Sequence, residues 1–204
     1  MKSSGKASTN PKLKKWNSAY QDADISSATA ARVLTDNAYL LPQATPAVTA
    51  LDLACGRAGN AIFLAKTGIT VDAVDLSPIV LQQLEDFVQK EALPINCIQR
   101  DIEQNGLDPQ KKYDVIVVSY FLNRELFPQI VNALKPGGLL FYQTWSQLSS
   151  DNAKGPSNPA FRLAQGELLS LCATLRIIHY REDGLQGNLQ KGIRNEALLL
   201  AQRV

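Results

Sequence analysis

Asp52 and Asp75, 23 residues apart, bracket the stretch of this chain best suited to chemistry. After Asp52 comes Leu53-Ala54-Cys55-Gly56-Arg57-Ala58-Gly59-Asn60, a run of mostly small residues. Small residues let a backbone approach a ligand closely, and the first N–H groups of a following helix have no partner within it. Asp75 closes a second strand, Ile69 to Val74. A carboxylate at that place can hold the two hydroxyls of a ribose, as in nucleotide-binding βαβ units.

The surrounding pattern supplies the elements such a site needs. Ala47, Val48, Leu51 and Leu53 read as a first strand, and Ala61 to Ala65 as a helix reaching Lys66 with Gly68 as its C-terminal cap. Ser77-Pro78 reads as N-cap and first helical residue, with Leu76, Val80, Leu84 and Val88 as the buried stripe. Strand three is Ile95 to Gln99, with Asp101 just beyond its end. Strand four is Tyr113 to Val118, whose apolar run Val115–Val118 suits a central parallel strand. Phe127 to Leu134 is helical, and Pro136-Gly137-Gly138 turns into strand five, Leu139 to Trp145. Earlier, Ala28 to Leu41 has helical spacing and ends at Pro42. Later, Gly166 to Leu175 reads as helix, and Leu175–Arg181 and Asn195–Arg203 as a strand pair. The polar loop from Ser146 to Pro159 leaves the ligand-binding end of strand five and reads as a lid or substrate loop.

Bulk properties set bounds. With 204 residues and 45% hydrophobic content, the chain suits one domain, residues 16–204, behind a mobile basic tail over 1–15 (Lys2, Lys6, Lys12, Lys14, Lys15). The net charge of +2 does not single out nucleic acid as a partner. Cys55, Cys97 and Cys172, with one histidine, make neither a disulfide framework nor a zinc site, so no metal is expected and a reducing cytoplasm fits. No secretory signal or membrane-spanning run is visible.

Taken in succession, Asp52-Leu-Ala-Cys-Gly56, Asp75-Leu-Ser77, Asp101, Tyr113-Asp114-Val-Ile-Val-Val118 and Leu134-Lys-Pro-Gly-Gly138 resemble the motifs of class I S-adenosylmethionine (SAM)-dependent methyltransferases. Within that class the chain is most similar to small bacterial methyltransferases of the tellurite-resistance and general small-molecule type. The resemblance implies an α/β three-layer sandwich. Its seven-stranded, mostly parallel sheet would run 3-2-1-4-5-7-6 with the last strand antiparallel. It implies SAM as cofactor and a small-molecule methyl acceptor, in a monomer or homodimer. The family's turn reads Asp-x-Gly-x-Gly-x-Gly, whereas Ala54 and Ala58 stand at the first and third glycines and Gly59 comes one place late.

Residue roles follow from the same resemblance. Asp52, Ala54, Cys55, Gly56 and Asn60 would surround the methionine end, Asp75 and Leu76 the ribose, and Asp101 and Ile102 the adenine. Trp16 and Tyr20, four apart on a short helix, would fold over the cofactor, and Ser119 or Tyr120 would touch its methionine end. Asn123, Arg124, Trp145 and Phe161 are candidates for the acceptor side. Plainer readings stand beside these. Asp52 can simply cap the next helix, Arg124 can pair with Glu125 or Asp114, and His179 reads as structural or surface. Asn123 cannot act as a base, so no catalytic base is identifiable. Three other functions compete: an NAD(P)-dependent oxidoreductase, a non-catalytic SAM-binding module, and an RNA or protein methyltransferase.

Overall fold

Continuous runs of Val, Ile and Leu suit strands covered on both faces, and such runs build the middle of the sheet. β1 (Thr49–Leu53) lies between β2 (Thr70–Asp75) and β4 (Tyr113–Ser119), and β3 (Ile95–Gln99) pairs with β2, all in parallel. β5 (Leu134–Trp145) runs parallel to β4. β7 (Glu196–Gln202) is antiparallel to both β5 and the edge strand β6 (Arg176–Arg181). The order is β3-β2-β1-β4-β5-β7-β6, the topology that the motif resemblance implied. The structure is a computed structural model describing residues 10–148 and 155–204. Residues 1–9, part of the expected tail, and 149–154, the middle of the expected lid, lie outside the described residues.

Helices cover both faces. On one face α2 (Arg32–Thr35), α3 (Gly59–Lys66) and α4 (Pro78–Glu91) contribute Val33, Leu34, Leu64, Val80 and Leu84 to a core shared with β1 and β2. On the other, α6 (Phe127–Ala133) and α7 (Glu167–Leu171) bury Phe127, Ile130 and Leu168 against Ile116, Val118 and Tyr142. Only the four-residue α5 (Ile102–Asn105) follows β3. α1 (Pro11–Tyr20) has no fully buried residue; Tyr20 packs against the core, and polar contacts hold the rest. Ser77 Oγ donates to Asn17 Oδ1 at 2.8 Å, Gln83 Nε2 to the Tyr20 carbonyl at 3.2 Å, and Asn10 Nδ2 to Asp101 Oδ2 at 3.3 Å, while Lys12 pairs with Glu103.

Several boundaries differ from the sequence reading. Residues 11–15, read as tail, are the first half of α1. The helix expected over 28–41 is a strap with only α2 and a 3₁₀ turn at Ala38–Leu40. Its N–H groups are claimed from outside: Ala31 N–H goes to Asn60 Oδ1 at 2.8 Å and Val33 N–H to Gln143 Oε1 at 2.9 Å. Ser77 is the N-cap residue of α4 and Pro78 its first helical residue, as read, but the Ser77 side chain makes no cap bond and donates instead to Asn17. β5 begins at Leu134, and Pro136-Gly137-Gly138 forms an irregularity inside the strand, between the pairs Tyr113–Leu134 and Val115–Leu139. Among the described residues no helix is long and apolar enough to cross a membrane.

Candidate functional site

The C-terminal ends of β1, β2 and β4 open onto a cavity of about 810 Å³. Ligands of open α/β sheets bind at this edge. As β1 ends, Ala54, Gly56 and Ala58 adopt φ of 55°, 50° and 60°. The turn is pinned where it passes β2: Cys55 N–H donates to the Val74 carbonyl and Gly56 N–H to Asp75 Oδ2, each at 2.9 Å. A non-glycine residue in this left-handed region costs roughly 1–2 kcal/mol. The alanines at the family's glycine places are therefore strained, yet both are accommodated, with Ala58 fully buried as the residue before α3.

The glycine that sterics demand is Gly59. A Cβ there would lie 2.2 Å from the Thr29 carbonyl oxygen, a backbone atom of the strap. Gly59→Ala is expected to cost about 2 kcal/mol or more, read as a lowered urea midpoint at unchanged slope. A midpoint equal to the wild type's would show that strap and turn are free to separate. At Gly56 an added Cβ would come 2.9 Å from the Tyr20 hydroxyl, so a small residue there lets α1 close over the turn.

Asp75 is buried at the cavity wall, and its oxygens accept from Gly56 N–H and Ser77 N–H, each at 2.9 Å. One lone pair on each oxygen remains for a ligand. Burial raises its pKa, against the pull of those N–H groups. Asp52 is fully buried and does not line the cavity. It accepts from Asn60 Nδ2 at 3.1 Å and from Ala61 N–H at 3.0 Å, and so caps α3. Burial pushes its pKa up to about 7, and the two hydrogen bonds oppose that rise. Asn60 joins three parts of the site. Besides Asp52, its amide donates to Ser119 Oγ at 2.9 Å and accepts from Ala31 N–H.

Most of the other sequence candidates meet at this cavity. Trp16 and Tyr20 stack at 5.7 Å and border it from α1, and burial followed by the Asp75 charge raises the Tyr20 pKa. Ala54, Cys55, Leu76, Asp101, Ile102, Ser119, Tyr120, Trp145 and Phe161 also line it. Asp101 additionally caps α5 through the Glu103 and Gln104 N–H groups. Burial holds the Cys55 thiol well above its ordinary pKa, which leaves it no reactive thiolate.

Asn123 and Arg124 are directed elsewhere. Asn123 caps the turn Arg124–Leu126 by accepting from Glu125 N–H. Arg124 forms a two-pronged pair with Glu167, at 2.5 and 2.9 Å, and donates to the Ala160 and Arg162 carbonyls. Its acid is therefore neither Glu125 nor Asp114; Asp114 pairs with Lys135. His179 is exposed on β6.

Sequence reasoning missed the strap Ala28–Arg32, Arg57 and Arg100, all at the cavity, and the Gln143–Glu196 pair behind Tyr120. The available signal was Gln143, an amide directly after the apolar run Leu139–Tyr142. Among the described residues no cluster of three or more His, Cys, Asp or Glu could hold a metal.

Comparisons with known proteins bear on the family and the fold. The family model described as "Tellurite resistance protein TehB" matches residues 27–198. The "Probable S-adenosyl-L-methionine-dependent methyltransferase TehB" of Haemophilus influenzae is 31% identical over 148 residues, 69% of this chain and 50% of that protein. The chain thus spans about half the length of the curated relatives it matches. The crystal structure of TehB from Haemophilus influenzae superposes with a TM-score of 0.67 at 25% identity, covering 93% of this chain and 67% of that one. Geranyl diphosphate C-methyltransferase from Streptomyces coelicolor shares the fold, with a TM-score of 0.68 at 17% identity over 98% of this chain and 100% of that one.

Proposed function

The chain belongs to the TehB family, and on that premise we propose that it is a SAM-dependent methyltransferase acting on a small molecule. The observation that carries the reading is Asp75. It is a buried carboxylate anchored by Gly56 and Ser77 N–H groups, with a lone pair on each oxygen toward a cavity at the strand ends. Those are acceptors for the two hydroxyls of a ribose, and the small-residue turn beside them leaves room for the rest of a nucleoside. The printed name of the Haemophilus influenzae relative supports SAM as the cofactor.

Bound SAM supplies a methyl group already activated on a sulfonium. The work left to the chain is to hold and aim, which can contribute roughly 7–11 kcal/mol of barrier reduction. Asp75 takes the ribose hydroxyls, and Asp101 and Ile102 flank the adenine. The turn Ala54–Gly56 and Ser119 meet the methionine end. Trp16 and Tyr20 cover the nucleoside from α1 and exclude water. The acceptor enters beside Tyr120, Trp145 and Phe161. A small acceptor is favoured because α1, the strap, Gly155, Pro156 and Phe161 line a cavity of about 810 Å³. Three free thiols suit a reducing, cytoplasmic setting.

Thermal unfolding with SAM and with S-adenosylhomocysteine tests the reading. Ligand at 100 times its dissociation constant should stabilise the native state by about 2.7 kcal/mol. A folded, cofactor-free sample whose midpoint moves with neither ligand would refute it.

A further inference from the structure

Tyr120, just past the end of β4, has an unusual backbone and an unusual hydroxyl. Its φ is 55°, a region that bulky residues seldom enter and that marks over-determined, functional positions. Its N–H is fixed on the Gln143 carbonyl at 2.8 Å. The residue is 48% exposed and lines the cavity, and its ring centroid lies 5.1 Å from that of Trp145.

The hydroxyl's bonding is dictated by Gln143. That amide is buried, and its oxygen is claimed by Val33 N–H at 2.9 Å, so its NH₂ must point the other way. The NH₂ donates to Tyr120 Oη at 3.1 Å and to Glu196 Oε2 at 2.5 Å. Tyr120 Oη therefore accepts from Gln143 and donates to Glu196, whose oxygens lie at 3.3 and 3.4 Å. One lone pair of Oη remains.

We propose that Tyr120 is the catalytic residue that receives the acceptor's proton, with Glu196 as the positioning residue that takes the proton from Tyr120. We further infer that the acceptor is a hydroxylated aromatic molecule. This rests on the methyltransferase reading above. The open lone pair fits an incoming O–H donor, and the adjacent carboxylate repels an oxyanion. Trp145, beside Tyr120, lines the cavity together with Phe161 and Phe121, and aromatic walls suit a planar ring.

The step balances. The acceptor O–H bond breaks and its proton passes to Tyr120 Oη while the Tyr120 proton passes to Glu196. The released electron pair on the acceptor oxygen forms the O–CH₃ bond. The S–CH₃ bond breaks with its pair left on sulfur. Glu196 then returns its proton to water. The charged neighbours of Tyr120 are Glu196 on β7 and Arg32 on α2, which act in opposite directions. Burial, then Glu196, raises the Tyr120 pKa to about 12, so the residue rests as a neutral hydroxyl able to relay.

The test uses the full chain. Calorimetric titration with S-adenosylhomocysteine comes first, on wild type, Tyr120→Phe and Glu196→Gln; binding is expected to agree within about threefold. Failure of the wild type to bind would sink the methyltransferase reading itself. Para-nitrophenol is then added to the loaded proteins, since its phenol and phenolate differ in colour. Wild type should bind the neutral phenol and raise its pKa. Tyr120→Phe should weaken binding about tenfold or more, and Glu196→Gln should lower the bound probe's pKa by about one unit or more. With SAM and catechol, both variants should form S-adenosylhomocysteine about 100-fold more slowly. If the wild type binds the cofactor product but neither binds para-nitrophenol nor methylates catechol, the acceptor class is overturned. Variants that match wild type in probe pKa and rate overturn the relay.

Discussion

Asp75→Ala should weaken S-adenosylhomocysteine binding about 100-fold or more, which equals about 2.7 kcal/mol. Each oxygen of Asp75 is anchored by one backbone N–H, leaving one lone pair apiece for the ligand. Two hydrogen bonds to a charged group, at roughly 1.5–3 kcal/mol each, are more than enough for the expected loss. The same substitution strips Gly56 and Ser77 N–H of their acceptors, so the urea midpoint should fall as well. Asp75→Asn should do both in part, since its one oxygen can keep only one of the two N–H anchors. An amide keeps the volume but offers only one acceptor, so affinity should lie between wild type and alanine. The acid limb is also predictable. Burial raises the Asp75 pKa, and the ribose hydroxyls need the carboxylate form. Affinity should therefore be full above that raised pKa and decline as pH falls through it. Titration calorimetry of a folded Asp75→Ala protein that binds like wild type would remove Asp75 from the site.

The placement of Asp75 at the end of β2, on the cavity wall, was legible because its signal is local: an acid ending a strand, at the right distance after a small-residue turn. The strands were legible for the same reason, since Val115–Val118 announces its burial by composition alone. Strand order came from the motif resemblance, and the sheet has that order. What escaped depends on partners far along the chain. The periodicity of 28–41 is helical, but Asn60 and Gln143 take the strap's N–H groups from 29 and 110 residues away. Arg124 finds Glu167, 43 residues on, where the sequence offered only neighbours. Ser77 takes the N-cap position as read, but its hydroxyl donates to Asn17, 60 residues back. In each case side-chain hydrogen bonding across the fold overrode a sound local preference. The family assignment drawn from the motifs holds, even though alanines occupy two glycine places.

Asn60→Ala should be the most damaging single truncation at the site, costing about 3–5 kcal/mol. Asn60 is buried, and both ends of its amide are used. Its oxygen accepts from Ala31 N–H, and its NH₂ donates to Asp52 and Ser119. Truncation leaves the Ala31 N–H without that acceptor and a fully buried carboxylate with one donor fewer. The pH dependence identifies the carboxylate. Asp52 has a folded pKa of about 7, above the ordinary value near 4 in an unfolded chain. The fold thus favours the protonated form, and its contribution is fully present below about pH 4 and lost as pH rises through about 7. The Asn60 bond lowers that pKa, so deleting it raises the pKa further and adds most destabilisation where Asp52 must ionise. The deficit of Asn60→Ala should be greater at about pH 8 than at about pH 5, and in an Asp52→Asn background that difference should vanish. Urea unfolding at the two pH values measures it; an equal deficit at both would mean that Asp52 does not answer to Asn60. Ligand binding should suffer too, since the Ala31 tether holds the strap that borders the cavity.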